Sequence, residues 1–461
     1  MRSTTLKTEL ASKIQNNQSK ICQWYSEYIK KFPPPLYCSV DLRDSEYKIA
    51  PVDCNLYPGG FNNLCPEDLR NAPQVFSSQI KSFVLEKGLE IPKRILILPE
   101  AHTLNQLYIE NIYYLMQLLT RSEFIVEVGW YYTSNFQDQE NIVEKHQARK
   151  PDEIVLTSHT GKKLRASPIQ VRDGILSAGD FTPDAILLNN DFSSGYPKIL
   201  DSIKQPILPS HTLGWHTRKK SEHFHYYNQL ATEFATLIEI DPWLIKIETE
   251  EVSPVYFNEN QGLEKVEYTT KKILKCLNLS YQQHQIKQKP FVYVKNNRGT
   301  YGMGMMVVHS EEELKNLNRR TKNKMSVGKN HLPIQSVIVQ EGIPTSTIMH
   351  NVYSEPVIYL VGCELIGGFL RTHDKKNAEE NLNSQGMVLK KLCVSDLKTL
   401  PQIGDQELLE KPQNKLHEKV QEKIQEKVQD KLPVLELVYG SIAKISALAA
   451  GMELAQHRIQ G

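Results

Sequence analysis

Residues 291–308 read Phe-Val-Tyr-Val-Lys-Asn-Asn-Arg-Gly-Thr-Tyr-Gly-Met-Gly-Met-Met-Val-Val, and this order narrows the possible folds more than any other stretch. An apolar strand ends on Lys295. A loop carrying Gly299, Tyr301, Gly302 and Gly304 follows, and a second apolar strand, Met305 to Val308, leaves it. Glycines let backbone N–H groups approach an anion closely, and a lysine adds a fixed charge for phosphate. A Walker loop would end in Gly-Lys-Ser/Thr and open a helix. This loop returns into a strand. It is either a hairpin lid over a nucleotide or an ordinary hairpin with a glycine-rich turn.

The downstream sequence separates those readings. A strand, Ser336 to Gln340, runs into Glu341-Gly342-Ile343-Pro344. A hairpin then follows from Pro356, turning near Gly362 and ending on Arg371, before Glu380-Asn381-Leu382-Asn383-Ser384-Gln385-Gly386. Across residues 290–390 this resembles the ATP-grasp superfamily. The order there is a lysine strand, a glycine lid, a Gln-Glu hinge beside adenine, a hairpin ending in arginine, and an Asn-Leu-x-x-x-Gly stretch. The resemblance implies ATP as cofactor. Its contacts would be Lys295, Gly299, Tyr301, Gly302, Gly304, Gln340, Glu341, Ile343 and Asn381. Arg371 would face the phosphates, where a planar guanidinium suits phosphate or acyl phosphate; a surface ion pair is the other reading.

That superfamily places its magnesium ligands on strands after a C-terminal helix. Here an Ala-rich helix is expected from Leu437 to Gln456, ending near Gly451, but the sequence given stops at Gly461 without such strands. Suitable strands occur near the N-terminus instead: Ser39-Val40-Asp41-Leu42-Arg43 and Tyr47 to Asn55. Side chains alternate along a strand, so Asp53 and Asn55 share a face, and Asp41 next door completes a candidate Mg2+ set. The implied architecture is α/β (α+β), a circularly permuted ATP-grasp fold with an additional α/β substrate domain. In the competing reading Asp53 and Asn55 only shape the turn before Pro58-Gly59-Gly60.

Four stretches together are similar to the ATP-grasp type of glutamate–cysteine ligase found in some proteobacteria. They are Ser39 to Arg43, Pro51 to Asn63, Pro99-Glu-Ala-His-Thr103 and Lys295 to Gly304. The resemblance runs from about residue 20 to 395 and resumes at 434. It implies an ATP- and Mg2+-dependent carboxylate–amine ligase acting on the small molecules L-glutamate and L-cysteine. Lys295, Arg371 and Arg43 would be its catalytic cations. Arg43 either binds a substrate carboxylate or neutralises Asp41. Glutathione synthetase, and a nucleotide-binding protein without catalysis, remain as alternatives at this point.

Composition agrees with such an enzyme. A chain of 461 residues allows two or three domains and an ample core. With 55 basic and 53 acidic residues, nothing favours a polyanion partner such as nucleic acid. No apolar run of transmembrane length and no secretory h-region is expected. Seven cysteines without C-x-x-C pairs argue against a disulfide framework or structural zinc and fit a reducing cytoplasm.

The pattern divides the chain into five parts. Residues 1–75 hold an N-terminal helix, 7–31, and the metal strands; 76–240 form the α/β substrate domain; 241–403 bind nucleotide; 404–433 are a charged helical insert; 434–461 close the core. Short apolar strands at 94–98, 124–128, 154–156, 185–188 and 206–208 alternate with helical or loop segments, as a largely parallel sheet requires. A helix is expected over 223–237. In the insert, apolar residues recur every four positions, so the stripe drifts around the helix and makes no coiled-coil seam.

Weaker candidates are Glu100, His102 and Asn105 at a helix start, where a carboxylate would dock or the helix be capped. Arg172-Asp173 and Asn189-Asn190-Asp191 are candidates for an α-amino group. His211, His216, His223 and His225 cluster without cysteines, which disfavours zinc.

Overall fold

The computed structural model describes residues 5–100, 105–131, 153–193, 195–299, 304–328, 333–393 and 433–460. The expected insert at 404–433 lies outside them except for Pro433, as do His102, Tyr301 and Gly302.

Three sheets organise these residues. The first is antiparallel, in the order β17-β16-β15-β1-β2 with β14 beside β15. Its strands are β1 (Tyr37–Asp44), β2 (Ile49–Asn55), β14 (Ile348–Met349), β15 (Val352–Val361), β16 (Glu364–Thr372) and β17 (Val388–Leu392). The second, in the order β10-β13-β11-β12, contains β10 (Thr249–Val252), β11 (Val292–Asn296), β12 (Met305–Val308) and β13 (Val337–Glu341). The third, β5-β6-β4-β3-β8-β9, has β7 beside β6. It contains β3 (Arg94–Pro99), β4 (Ile125–Trp130), β5 (Ile154–Thr157), β6 (Lys163–Arg172), β7 (Ile175–Ala178), β8 (Ala185–Asn189) and β9 (Ile207–Leu208). Its β4-β3-β8-β9 centre is parallel, with a parallel β4–β6 contact.

The permuted arrangement is visible in the first sheet. β1 pairs antiparallel with β15, Asp41 lying opposite Val357, so the N-terminal strands complete a sheet begun some 300 residues later. The helix Val434–Gln460 packs on β15, β2 and β1 and on the helix Lys220–Leu237. Residues 434–457 are long and apolar enough to cross a membrane, with mean hydropathy 1.4, but 72% of that window is buried within the protein. Its apolarity matches a core helix, which composition alone did not separate from a membrane span.

Several expectations change. The helix expected over 7–31 is two helices, Leu6–Asn16 and Gln18–Lys31. Asn17 leaves the helical region and its Nδ2 donates to the Lys13 carbonyl at 3.0 Å. The C-terminal helix does not stop near Gly451. A Cβ there would lie 2.5 Å from the Phe32 carbonyl oxygen, so the glycine admits a crossing main chain. The helix expected from His223 begins at Lys220, and the helix Leu263–Gln283 had not been anticipated. Against the expectation from cysteine spacing, Cys65 and Cys393 form a disulfide. They lie 328 residues apart, so only the placement of β17 brings them together.

Candidate active site

β1, β2, β15 and β16 build the floor of a cleft. Asp41 faces Asp53 directly across β1 and β2, and Glu355 faces Arg371 across β15 and β16. With period-two alternation, these four side chains and Arg43 project to one side. Lys295 and Tyr293 descend from β11, Lys220 enters from its helix, and Asn381 and Asn383 come from the loop after β16. Asn296, Gly299 and Met305, from the base of the glycine loop, complete the lining with Val52. Gly299 and Gly304 both have positive φ, +125° and +61°, and a Cβ on Gly304 would come within 2.3 Å of Ile334. The lid base therefore needs glycine for its backbone and for space.

Acidic and basic groups alternate across the floor. Arg371 Nη1 donates to Asp41 Oδ2 at 2.9 Å and to Glu355 Oε1 at 2.6 Å. Lys220 Nζ lies 2.5 Å from Asp53 Oδ1, and Lys295 Nζ donates to the Val52 carbonyl at 2.7 Å. Burial pushes the Lys295 ammonium down to about 7, although Asp53 opposes the shift. Burial also raises the Asp41 carboxyl, against the pull of Arg371. At Asp53 burial acts upward too, but Lys220 and Lys295 outweigh it and hold the carboxyl at about 2. Asp53 therefore stays anionic.

Two buried atoms in this row have no partner among the described residues: Asp41 Oδ1 and Arg371 Nε. Buried polar atoms are rarely orphaned, so each points to a ligand group of opposite character. An acceptor between carboxylates suits a hard cation, and a guanidinium donor suits a phosphate or carboxylate oxygen. Asp41 and Asp53, opposite each other, fit Mg2+, which needs only one or two carboxylates alongside phosphate oxygens; Glu355 has both oxygens paired, with Arg371 and Arg43.

The expected residues are therefore partly regrouped. Asp41, Asp53, Lys295, Arg371, Gly299 and Asn381 meet in the cleft. Asn55, opposite Ser39, is not part of its lining, whereas Glu355 is. Arg43 lines the cleft with its nitrogens already engaged. Nε pairs with Glu355 Oε2 at 2.8 Å, and Nη1 and Nη2 donate to the carbonyls of Ala378 and Glu380 at 2.8 Å. It neutralises Glu355 rather than Asp41 and anchors the loop that carries Asn381.

Gln340, Glu341 and Ile343 are buried and their side chains do not line the cleft. Glu341 is held by Lys48 at 2.6 and 2.7 Å and accepts from the Glu248 N–H at 3.1 Å.

The weaker candidates have structural duties. Arg172 and Asp173 flank a surface hairpin in which Asp173 and Gly174 both have positive φ, as a two-residue turn demands. Asn105 caps the helix Gln106–Arg121, accepting from the Tyr108 N–H. Asn189 donates to the Pro58 carbonyl at 2.8 Å, and its Oδ1 accepts from Asn111, whose Oδ1 takes the N–H groups of Gly60 and Phe61. Asn190 donates to the Tyr131 hydroxyl, and Asp191 accepts from Ser193.

Behind the floor lies a network the sequence did not suggest. Arg218 pairs with Glu453 at 2.7 and 3.0 Å and donates to the Cys54 carbonyl, between Asp53 and Asn55, at 2.5 Å. His223 Nδ1 lies 2.5 Å from Glu453, and its Nε2 is 3.0 Å from Ser446 Oγ. His223 is thereby committed to the core rather than to a metal. Lys220 and Glu355 were also missed. Lys220 meets Asp53 on a remote strand, and Glu355 meets Arg371 across its own hairpin and Arg43 on a remote strand.

The residues forming this cleft fall within the span, residues 11–454, that matches the glutamate–cysteine ligase family profile. A Methylobacillus flagellatus KT protein assigned as a γ-glutamylcysteine synthetase is 32% identical, covering 99% of this chain and 98% of that one, with a TM-score of 0.80. A glutathione synthetase-like effector from Globodera pallida (11% identity, 83% and 84% coverage) overlaps with a TM-score of only 0.36. D-alanyl-alanine synthetase A from Vibrio cholerae O1 (10% identity, 76% and 81% coverage) reaches 0.29. No curated protein matches the chain significantly. The near-complete profile match, together with the shared fold of the M. flagellatus protein, shows that this chain belongs to the glutamate–cysteine ligase family.

Proposed function

We propose that the cleft joins L-glutamate to L-cysteine with ATP and Mg2+, forming γ-glutamylcysteine, the first step of glutathione biosynthesis, in the cytoplasm. The observation that carries the reading is the run of contacts Asp41–Arg371–Glu355–Arg43 beside Asp53 and Lys295, with Asp41 Oδ1 and Arg371 Nε left to a ligand. Asp41 and Asp53 would hold the metal, which when bound neutralises phosphate charge. Lys295 and Arg371 would stabilise the γ-phosphoryl group as it passes to a glutamate side-chain oxygen and ADP leaves. The cysteine amine then attacks the γ-glutamyl phosphate, forming the amide and releasing phosphate. The expected glycine lid lies outside the described residues except for Gly299 and Gly304. In this reading residues 76–240 would form the substrate domain and residues 241–403 the nucleotide-binding region, with 1–75 and 434–461 completing the core.

The test is ADP release across a panel of amino-acid pairs. Release should require glutamate and cysteine together, and the product should carry a γ-linkage. Turnover with γ-glutamylcysteine plus glycine, and none with glutamate plus cysteine, would reassign the chain as a glutathione synthetase.

A further inference from the structure

Lys220 opens the helix Lys220–Leu237 and reaches the floor with its side chain 7% exposed. Its ammonium lies 2.5 Å from Asp53 and 4.3 Å from the centre of the Trp215 ring, an apolar shelf with a negative face. The main chain around it is fixed. The Lys220 N–H donates to the Asn297 carbonyl, and the Ser221 N–H to Asn297 Oδ1, both at 2.9 Å. Two residues earlier, Arg218 is locked between Glu453 and the Cys54 carbonyl. The flexible four-carbon stem can turn where the backbone cannot.

The charges on the floor show why it would turn. Arg43 has its three nitrogens engaged, Arg371 sits between Asp41 and Glu355, and Lys295 donates to Val52. Lys220, by contrast, pairs with Asp53, which is also a candidate cation ligand. An ammonium at 2.5 Å and a divalent cation on the same carboxylate repel strongly in a buried site. Occupation of Asp53 by the cation therefore frees Lys220, next to where a phosphoryl acceptor must lie. The acceptor oxygen belongs to a carboxylate, an anion that an ammonium attracts, whereas cysteine reacts through a neutral amine.

We propose that Lys220 is the cation that holds the γ-carboxylate of glutamate. Without ligands it pairs with Asp53; with a divalent cation on Asp53 it turns along Trp215 to the substrate. This rests on the ligase reading. Wild-type ADP release with glutamate and cysteine tests that reading by itself, since an inactive wild type refutes it whatever Lys220 does.

With an active wild type, Lys220→Met should raise the KM for glutamate about tenfold or more, the loss expected for a charged hydrogen bond. The KM values for cysteine and ATP should stay within about twofold, and Lys220→Arg should restore most of the glutamate KM. Mn2+ binding to the ligand-free protein, read by electron paramagnetic resonance, should tighten about fivefold in Lys220→Met because Asp53 loses a competitor. A rise in the cysteine KM instead of the glutamate KM overturns the proposal. So does Mn2+ binding that is unchanged or weaker. If Lys220→Met does not fold, calorimetry on the wild type decides. Glutamate must bind at least about fivefold more tightly with Mn2+ present, and equal affinities overturn the proposal.

Discussion

A lysine–carboxylate pair stands at each end of β2, fully buried at one end and partly exposed at the other. At the start of the strand, Lys48 and Glu341 are both fully buried and 2.6 and 2.7 Å apart. The Glu248 N–H adds a third bond to Glu341, and Trp243 lies 4.3 Å below the ammonium. Near the other end, Asp53 and Lys220 make one close contact beside the cleft, with Lys295 and the unpartnered Asp41 Oδ1 in the same lining. The first pair fixes the register between β2 and the second sheet. The second has a partner that can be exchanged. Buried ion pairs serve specificity when every donor and acceptor is met, and ligand chemistry when some are not.

Breaking the first pair should cost stability rather than chemistry. Lys48→Met leaves Glu341 as an uncompensated buried charge, a loss of about 3–5 kcal/mol. Urea unfolding should show this loss. Measured at a temperature where both proteins are folded, kcat should stay within about threefold. A collapse of kcat without loss of stability would show that the closed pair also serves the reaction.

Asp53→Asn should do the reverse. It retains size and hydrogen bonding and removes the charge a hard cation needs. Turnover should fall roughly hundred- to thousand-fold, about 3–4 kcal/mol of transition-state stabilisation, and raised Mg2+ should recover part of it. Near-normal turnover would return Asp53 to the role of a turn former and erase the contrast between the two ends of β2.

The same contrast explains what the sequence disclosed. Lys295, Arg371, Asp41 and Asp53 were legible because each stands at a fixed place on a strand, and the strand–glycine–strand pattern orders them locally. Lys220 was not, because it lies among Lys219, Ser221 and Glu222 at a helix start and its meaning comes from Asp53, 167 residues away. Glu355 likewise precedes Pro356 without any local signature. Arg43 was found but its bonds were not, because the carbonyls it meets lie 335 and 337 residues onward. Asn111 gave no signal and Asn189 only suggested an α-amino contact, yet the two amides hold the Pro58–Phe61 loop.

The network behind the floor sharpens the comparison through pH. Glu453 is fully buried, and burial works against its ionisation. Arg218 and His223 outweigh that penalty and hold its carboxyl at about 2, from an ordinary 4.5. The sign follows from proton binding. Between those values the unfolded chain takes up a proton that the folded chain refuses, so stability falls as pH drops from 4.5 toward 2. Above 4.5 the contribution is fully present, on the order of 3 kcal/mol for a shift of this size. Glu453→Gln should therefore be less stable than the wild type at pH 7, and the gap should narrow by about that amount as the pH approaches 2. Urea titrations of both proteins across this range measure the gap. A constant gap would mean that Glu453 is not held ionised by Arg218. The anchor on the Cys54 carbonyl would then have to stand without it, leaving the open end of β2 supported only from the cleft side.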